Sequence, residues 1–457
     1  MKFISANMFR NSKKTGKKRV LLLADECNPD WPSLPVVGYK TCRAIAEYAD
    51  VTVATNIRNK PQIDRDGFGK ADVVFIDNGY ISKPMDAVSN YLRGGNTVAW
   101  TTRVALEYPS YIAFEREVFR RFAKDLTEDG TGFDVVHRVT PMTPTLPSPM
   151  ASWSKVPFII GPLNGGLKWP AGFTAELRRE REWMTYLRGL HKVMPYAHTT
   201  YRDAALILAA FQHTIDALPA RCRDRIVDFP EVGIDPELFN HGELDEKQRE
   251  APLTFLFVGR LVPYKCADIV VSAFASSEKL RKHKLKIVGA GPEKLTLQAL
   301  IVKENAGASI ELLGSRTQQE VGELMRNADV FAFPSIRELG AGVVVEAMAS
   351  GLPTIAVDYG GPAGLITNGR DGVKVPIGIK SELTAHFKRE MELLAEDRDR
   401  RRMLGAQARQ SASALTWDAK AQKIVEFYEF VLQNSRSNAS ARASSIARGG
   451  LANASRP

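Results

Sequence analysis

A chain of 457 residues, 44% apolar and 25% charged, holds enough material for two or three domains with cores of their own, which excludes a peptide, a disulfide knot and a disordered chain. The formal charge of +10 invites a nucleic-acid reading, but residues 1–19 carry seven Lys or Arg without an acid and residues 434–457 four Arg without an acid. The body is left near neutrality at −1, so no nucleic-acid partner is expected, and the basic ends at 1–18 and 434–457 read as disordered tails.

Short β-rich runs alternate with helical patterns along the chain, the mark of parallel sheets covered by crossover helices in an α/β fold. The first series of strands is predicted at 19–24, 50–55, 72–76, 96–100, 133–136, 156–160, 204–208 and 225–229. From Asp235 to Pro252 the sequence is polar and without either periodicity, which predicts a linker at 235–252 between an N-terminal domain at 19–234 and a C-terminal domain at 253–415. The second series follows at 253–258, 284–288, 309–313, 329–333, 353–357 and 372–376. Thr416 is placed to cap a helix over 416–433 whose Trp417, Ala421, Ile424, Tyr428 and Val431 share one face, predicting a helix that docks back on the first domain.

In doubly wound sheets ligands bind beyond the carboxyl ends of the strands, so polar residues placed just after strands carry the first functional signal. One such run ends in Gly259, with Arg260 and Lys265 behind it. Two cations on one loop can clamp a diphosphate and stabilise the charge that grows on it as it leaves; two solvated surface cations would read the same way. A second run, 331–351, ends its strand at Pro334-Ser335, carries Glu338, turns at Gly340-Ala341-Gly342 and places Glu346 about one turn into a helix. A small-residue turn at a helix N-terminus offers backbone N–H groups to an anion. Glu346 beyond it can accept both hydroxyls of a ribose, and Glu338 can reach a sugar on the other side.

These residues resemble the retaining glycosyltransferase family 4 of GT-B fold. The resemblance rests on the strand-Gly-Arg-Leu-x-x-x-Lys element at 254–265, the Glu338-x7-Glu346 spacing, and the runs VGAGPEKLTL and EAMASGLPTIAVDYGGPAGLI. In the first half it rests on CNPDWPSLPVVGY, DVVHRVTPMTPTLPSPMA, VPFIIGPLNGG, ALILAAFQHTIDALP and DFPEVGIDPELF. It implies two Rossmann-like domains facing across a cleft. It further implies transfer of a sugar from a nucleotide-diphosphate donor to an acceptor hydroxyl (a polysaccharide, a lipid-linked glycan or a small glycoside) with retention, and with neither metal nor other cofactor. Arg260 and Lys265 would hold the diphosphate, Glu346 the ribose and Glu338 the donor sugar. Gly259, Gly340, Gly342 and Val343 would bring backbone to the donor, Gly38 would approach it from the first domain, and His137 would lie across the cleft against the sugar. Two departures stand out: Leu339-Gly340-Ala341-Gly342 shifts the glycines of the usual Gly-aromatic-Gly, and Glu231-Val232-Gly233-Ile234-Asp235 replaces Asn-Gly-Val-Asp. A nucleotide-sugar epimerase or sugar phosphorylase, and a non-catalytic nucleotide-sugar-binding protein, are the alternatives on the same architecture.

Other signals are weaker. Asp64-Arg65-Asp66 and Asp397-Arg398-Asp399 spell D-x-D but follow no apolar strand, so no metal is assigned. VGAGPEKL lacks the third glycine of a dinucleotide fingerprint. Cys27, Cys42, Cys222 and Cys266 stand far apart and read as reduced and buried. No apolar run reaches the ~20 residues of a membrane span, and the N-terminus lacks the apolar core of a secretory signal, so a cytoplasmic protein is expected. The basic helical pattern Ala175 to Met194 fits either a cover for its own domain or peripheral contact with an anionic membrane.

Overall fold

The computed structural model describes residues 16–82, 84, 100–128, 132–179, 193–242 and 252–452. Its first sheet contains β1 (Arg19–Ala24), β2 (Asp50–Asn56), β3 (Asp72–Ile76), β4 (Val135–Thr140), β5 (Phe158–Leu163), β6 (Leu206–Ala209) and β7 (Ile226–Asp228) in the order β3-β2-β1-β4-β5-β6-β7. The second contains β8 (Thr254–Val258), β9 (Lys284–Val288), β10 (Ile310–Gly314), β11 (Val330–Phe333), β12 (Thr354–Val357) and β13 (Val373–Val375) in the order β10-β9-β8-β11-β12-β13. All pairings are parallel. Strands buried on both faces are rich in apolar side chains, and β4, β5, β6, β11 and β12 are buried throughout, with His137, Arg138 and Thr140 of β4 hydrogen-bonded inside. Each sheet winds outward in both directions from one point, between β1 and β4 and between β8 and β11, and there the strand ends open a crevice.

The predicted strand at 96–100 lies outside the described residues except for Trp100, which begins the helix Trp100–Arg121. Of the predicted linker, residues 243–251 also lie outside them. The chain crosses between the lobes twice, side by side, where Ile234 bridges to Thr416. Thr416 Oγ1 accepts the Ala419 N–H at 3.1 Å, and from there Ala421, Ile424, Phe427, Tyr428 and Val431 join the core beneath β1 and the helix Leu34–Ile45. This helix runs Trp417–Ala452, past the point where the tail at 434–457 was expected to be disordered. Once a docked segment supplies the nucleus, each added residue costs little, and the Ala and Arg interspersed among the Ser, Asn and Gly of this stretch favour continuing it. No helix among the described residues is long and apolar enough to cross a membrane.

The segment following β5 belongs by sequence to the first lobe but packs on the second. Phe173, 1% exposed, sits in the core built around β8 and β11. The Tyr359 hydroxyl donates to Lys168 O at 2.8 Å, Arg337 lies over the Trp169 ring at 5.2 Å, and Lys380 pairs with both Glu176 and Asp268. The helix Thr174–Arg179, which covers the start of the predicted basic helix, ends in an ion pair from Arg179 to Glu293. Residues 180–192 lie outside the described residues. Because Phe173 fills a site in the other lobe's core, Phe173→Ala should cost about 3–5 kcal/mol in urea unfolding. A loss below about 1 kcal/mol would show that this segment is not anchored there.

Candidate active site

The loops after β8 and β11, neighbours at the switch point of the second sheet, carry the candidate residues. Gly259 N donates to Val288 O at 3.0 Å, Leu261 N to Ala290 O at 2.9 Å, and Glu293 N to Leu261 O at 3.0 Å, so the loop after β8 rests on the loop after β9. Gly289 and Gly291, at φ +140° and +156°, have no room for a side chain against Gly259 and Leu261, which is the physical reason for the G-x-G in VGAGPEKL. The loop then presents Arg260, exposed and hydrogen-bonded to the Tyr264 hydroxyl, and Lys265, 9% exposed.

Lys265 forms an ion pair with Glu338, and its ammonium stands 4.8 Å from the centroid of the Phe333 ring. The pair joins the two loops, with side-chain exposures of 11% and 18%. Beyond Glu338 the backbone is held from behind: Gly361 N donates to Glu338 O at 2.8 Å, and neither Gly360 nor Gly361 has space for a methyl against Glu338 and Leu339. Gly340 follows, then Ala341 at φ +53°, and the helix Gly342–Ala349 opens with Gly342 and Val343 partly exposed. Glu346 is one turn in and half-buried; desolvation pushes its carboxyl up to about 7, Lys40 of the first lobe pulls the other way, and Asp235 adds to the rise. Lys40 is ion-paired with Asp235. The fold therefore places Arg260 and Lys265 on the loop after β8, Glu338 and Gly340 on the loop after β11, and Gly342, Val343 and Glu346 in the helix that follows, with Lys265 and Glu338 in contact.

Two candidates fall elsewhere. His137 is the third residue of the central strand β4, in register with Leu22 and Ile159, too deep in the sheet to reach its mouth. It is fully buried, with Nε2 2.6 Å from Gly161 O and Nδ1 2.7 Å from the Tyr428 hydroxyl. The carbonyl can only accept, so Nε2 carries the hydrogen and Nδ1 takes the Tyr428 O–H. The expectation that His137 faces the cleft is corrected: it is a core histidine that ties the C-terminal helix to the sheet. Gly38 is corrected likewise. It lies buried in the helix Leu34–Ile45, and a side chain there would meet Glu26 O at 2.5 Å and Thr140 Cγ2 at 2.8 Å, so its bareness serves packing against the ends of β1 and β4.

The first lobe brings other groups to the seam. Asn164, at the end of β5, donates from its amide to Glu231 Oε1, and its Oδ1 lies 3.4 Å from His213 Nε2. Burial draws the His213 imidazole down to about 4. The rule of polar residues after strands, applied to GPLNGG and to DFPE, would have found Asn164 and Glu231; Lys40 carries no such signal, since it lies inside a helix. Among the described residues no group of three or more His, Cys, Asp or Glu side chains could hold a metal ion.

Two parallel, doubly wound lobes with facing strand ends define the GT-B class, and solved structures agree. An Anabaena HepE structure in complex with UDP and glucose superposes with a TM-score of 0.58 at 16% identity, covering 90% of this chain and 99% of that one. Sucrose-phosphate synthase from Thermosynechococcus elongatus gives 0.59 at 16% identity, covering 92% and 100%. Residues 243–411 match the model of the family Glycosyl transferases group 1. D-inositol 3-phosphate glycosyltransferase of Nocardia farcinica is 32% identical over 226 residues, 46% of this chain and 48% of that protein. GDP-mannose-dependent alpha-mannosyltransferase of Mycobacterium tuberculosis is 34% identical over 175 residues, 38% and 42% respectively. The chain spans about half the length of the curated relatives it matches.

Burial holds the folded His137 down to about 4, against an ordinary value of 6.5. Between those values the unfolded chain binds the extra proton, so this contribution to stability is whole above pH 6.5 and drains away as the pH falls toward 4. Between pH 7.5 and 4.5 the wild type should lose about 2–3 kcal/mol more than His137→Gln in urea unfolding. Parallel losses would mean that His137 does not titrate as a core group.

Proposed function

We propose that this protein is a retaining glycosyltransferase that moves a sugar from a nucleotide-diphosphate donor to an acceptor hydroxyl. The observation that carries the reading is the Lys265–Glu338 pair with Arg260 beside it, at the switch point of the second sheet. The donor lies along the loops after β8 and β11: ribose on Glu346, diphosphate on Arg260 and Lys265, sugar against Glu338 and the backbone of Gly340 to Val343. The UDP and glucose in the HepE structure, and the GDP-mannose in the name of the mannosyltransferase relative, support a nucleotide sugar as the donor class.

In the reaction the C1–O bond to the diphosphate breaks while the acceptor oxygen bonds to C1 from the same face. The acceptor's proton passes to the departing phosphate oxygen. The residues contribute charge and position: Arg260 and Lys265 neutralise the growing negative charge in a cleft where water is scarce, and their two positive charges fill the place that a metal takes in other transferases. The reaction is thus proposed to need neither metal nor other cofactor. Glu338, set by Lys265, holds sugar hydroxyls. The acceptor, a glycan, small glycoside or lipid-linked sugar, enters over the strand ends of the first lobe. A cytoplasmic setting is supported by four free, buried cysteines. Contact with an anionic membrane face is proposed for the basic stretch Ala175 to Met194.

A screen of UDP-, GDP- and ADP-sugars with product anomers read by NMR tests the reading. A retained anomer on an acceptor supports it; a new nucleotide sugar formed without acceptor identifies an epimerase instead. Arg260→Ala should lower turnover by about 10²-fold, as loss of a preorganised donor group does, with near-normal turnover counting against the clamp. Glu346→Gln should weaken nucleotide binding in calorimetry, and an unchanged affinity would remove Glu346 from the ribose.

A further inference from the structure

Glu231 stands where the first chain crossing meets the donor-sugar loop. It follows β7, is 3% exposed, and receives the Asn164 amide on Oε1. Its Oε2 is buried with no hydrogen-bond partner. Across the seam lies Gly340. A methyl at 340 would fall well inside contact distance of Glu231 Oε1, and 3.0 Å from both its Cδ and Val232 Cγ1. The crossing is gripped from the other side as well: Lys420 donates to Pro230 O with its ammonium 3.8 Å from the Phe229 ring centroid, and the Trp417 ring would meet a methyl on Gly233 at 2.6 Å. Burial and the nearby Glu338 both raise the Glu231 carboxyl, while its own backbone amide, Asn164 and Lys420 oppose them.

The two departures from the family pattern meet at this point. The shifted glycine, Gly340, leaves the space that the Glu231 carboxylate fills, and the positive φ of the turn falls to Ala341 instead. The two positions are therefore one steric unit, with Glu231 fixed to the first lobe by Asn164 and Gly340 belonging to the loop that carries Glu338. Resting on the transferase reading above, we propose that Glu231 is a positioning residue that sets the donor-sugar loop 338–342 when the lobes are together. It acts through Gly340 and Glu338 and takes no proton in the reaction. The nucleotide end of the donor, on Glu346 and Arg260, lies outside its influence.

The test is a four-way comparison of wild type, Glu231→Ala, Gly340→Ala and the double variant, with Glu231→Gln as the shape-conserving control. The readouts are turnover of UDP-glucose or GDP-mannose, calorimetric affinity for UDP and GDP, and thermal unfolding. Glu231→Ala should lower kcat at least about 10-fold with nucleotide affinity unchanged within about 3-fold, and Glu231→Gln should restore most of kcat. Gly340→Ala should lower both kcat and Tm, and adding Glu231→Ala should raise both above the Gly340→Ala values, because the second change vacates the space that the first one needs. Additive losses in the double variant, or loss of nucleotide affinity in step with kcat, would overturn the proposal. If the wild type turns over no sugar with any acceptor, the transferase reading falls. The melting temperatures of the four proteins then still decide whether positions 231 and 340 share one space.

Discussion

The molecule depends on how it holds the Lys265 ammonium in a crevice where little water reaches it. An ammonium removed from water is costly unless it is paired and hydrogen-bonded, and removing one member of such a pair leaves the other stranded. Glu338 supplies the partner and Phe333 an electron-rich face beneath it. The two members come from loops after adjacent strands, so a single interaction fixes the gap between the ends of β8 and β11. In the proposed reaction the incoming diphosphate competes for the same ammonium. Glu338 is then released toward the sugar, and the arrangement that steadies the empty site becomes the one that receives the donor.

Such a pair works only if its loops are held from behind. The loop after β8 is backed by Gly289 and Gly291, and the loop after β11 by Gly360 and Gly361, at distances that admit no side chain. Two lobes meeting across a seam need a comparable fit, and there the close approaches are made by the crossing at 229–235, by Lys40 on Asp235, and by the segment after β5 with Phe173 as its anchor. Strength of this kind is spread over backbone contacts as well as over the core side chains Leu261, Ile336 and Ala341 of the same loops.

What could be read in the sequence was whatever depends on local pattern. The strands of both sheets announce themselves as short β-rich runs, and Arg260, Lys265 and Glu338 are legible because they follow such runs at short spacing, Glu346 because it stands one turn into the next helix. His137 misled because a histidine in a strand looks the same whether its side chain meets ligand or core; only the register with Leu22 and Ile159, and Tyr428 arriving from 291 residues away, decides the matter. Gly38 misled in a similar way, since the neighbours that require it bare, Glu26 and Thr140, are 114 residues apart in the chain. Glu231 and Lys40 gain their meaning from contacts between lobes, Glu231 against Gly340 and Lys40 beside Glu346, which no local spacing encodes. The extension of the last helix to Ala452 was hidden because its composition resembles a tail until a docked nucleus precedes it.

A crystal structure with a bound nucleoside diphosphate tests the central claim most directly. The account predicts phosphate oxygens within hydrogen-bonding distance of Lys265 Nζ and the Arg260 guanidinium, ribose hydroxyls on Glu346, and Glu338 turned from Lys265 toward the sugar side. A diphosphate bound away from the ends of β8 and β11, with the Lys265–Glu338 pair undisturbed, would contradict it.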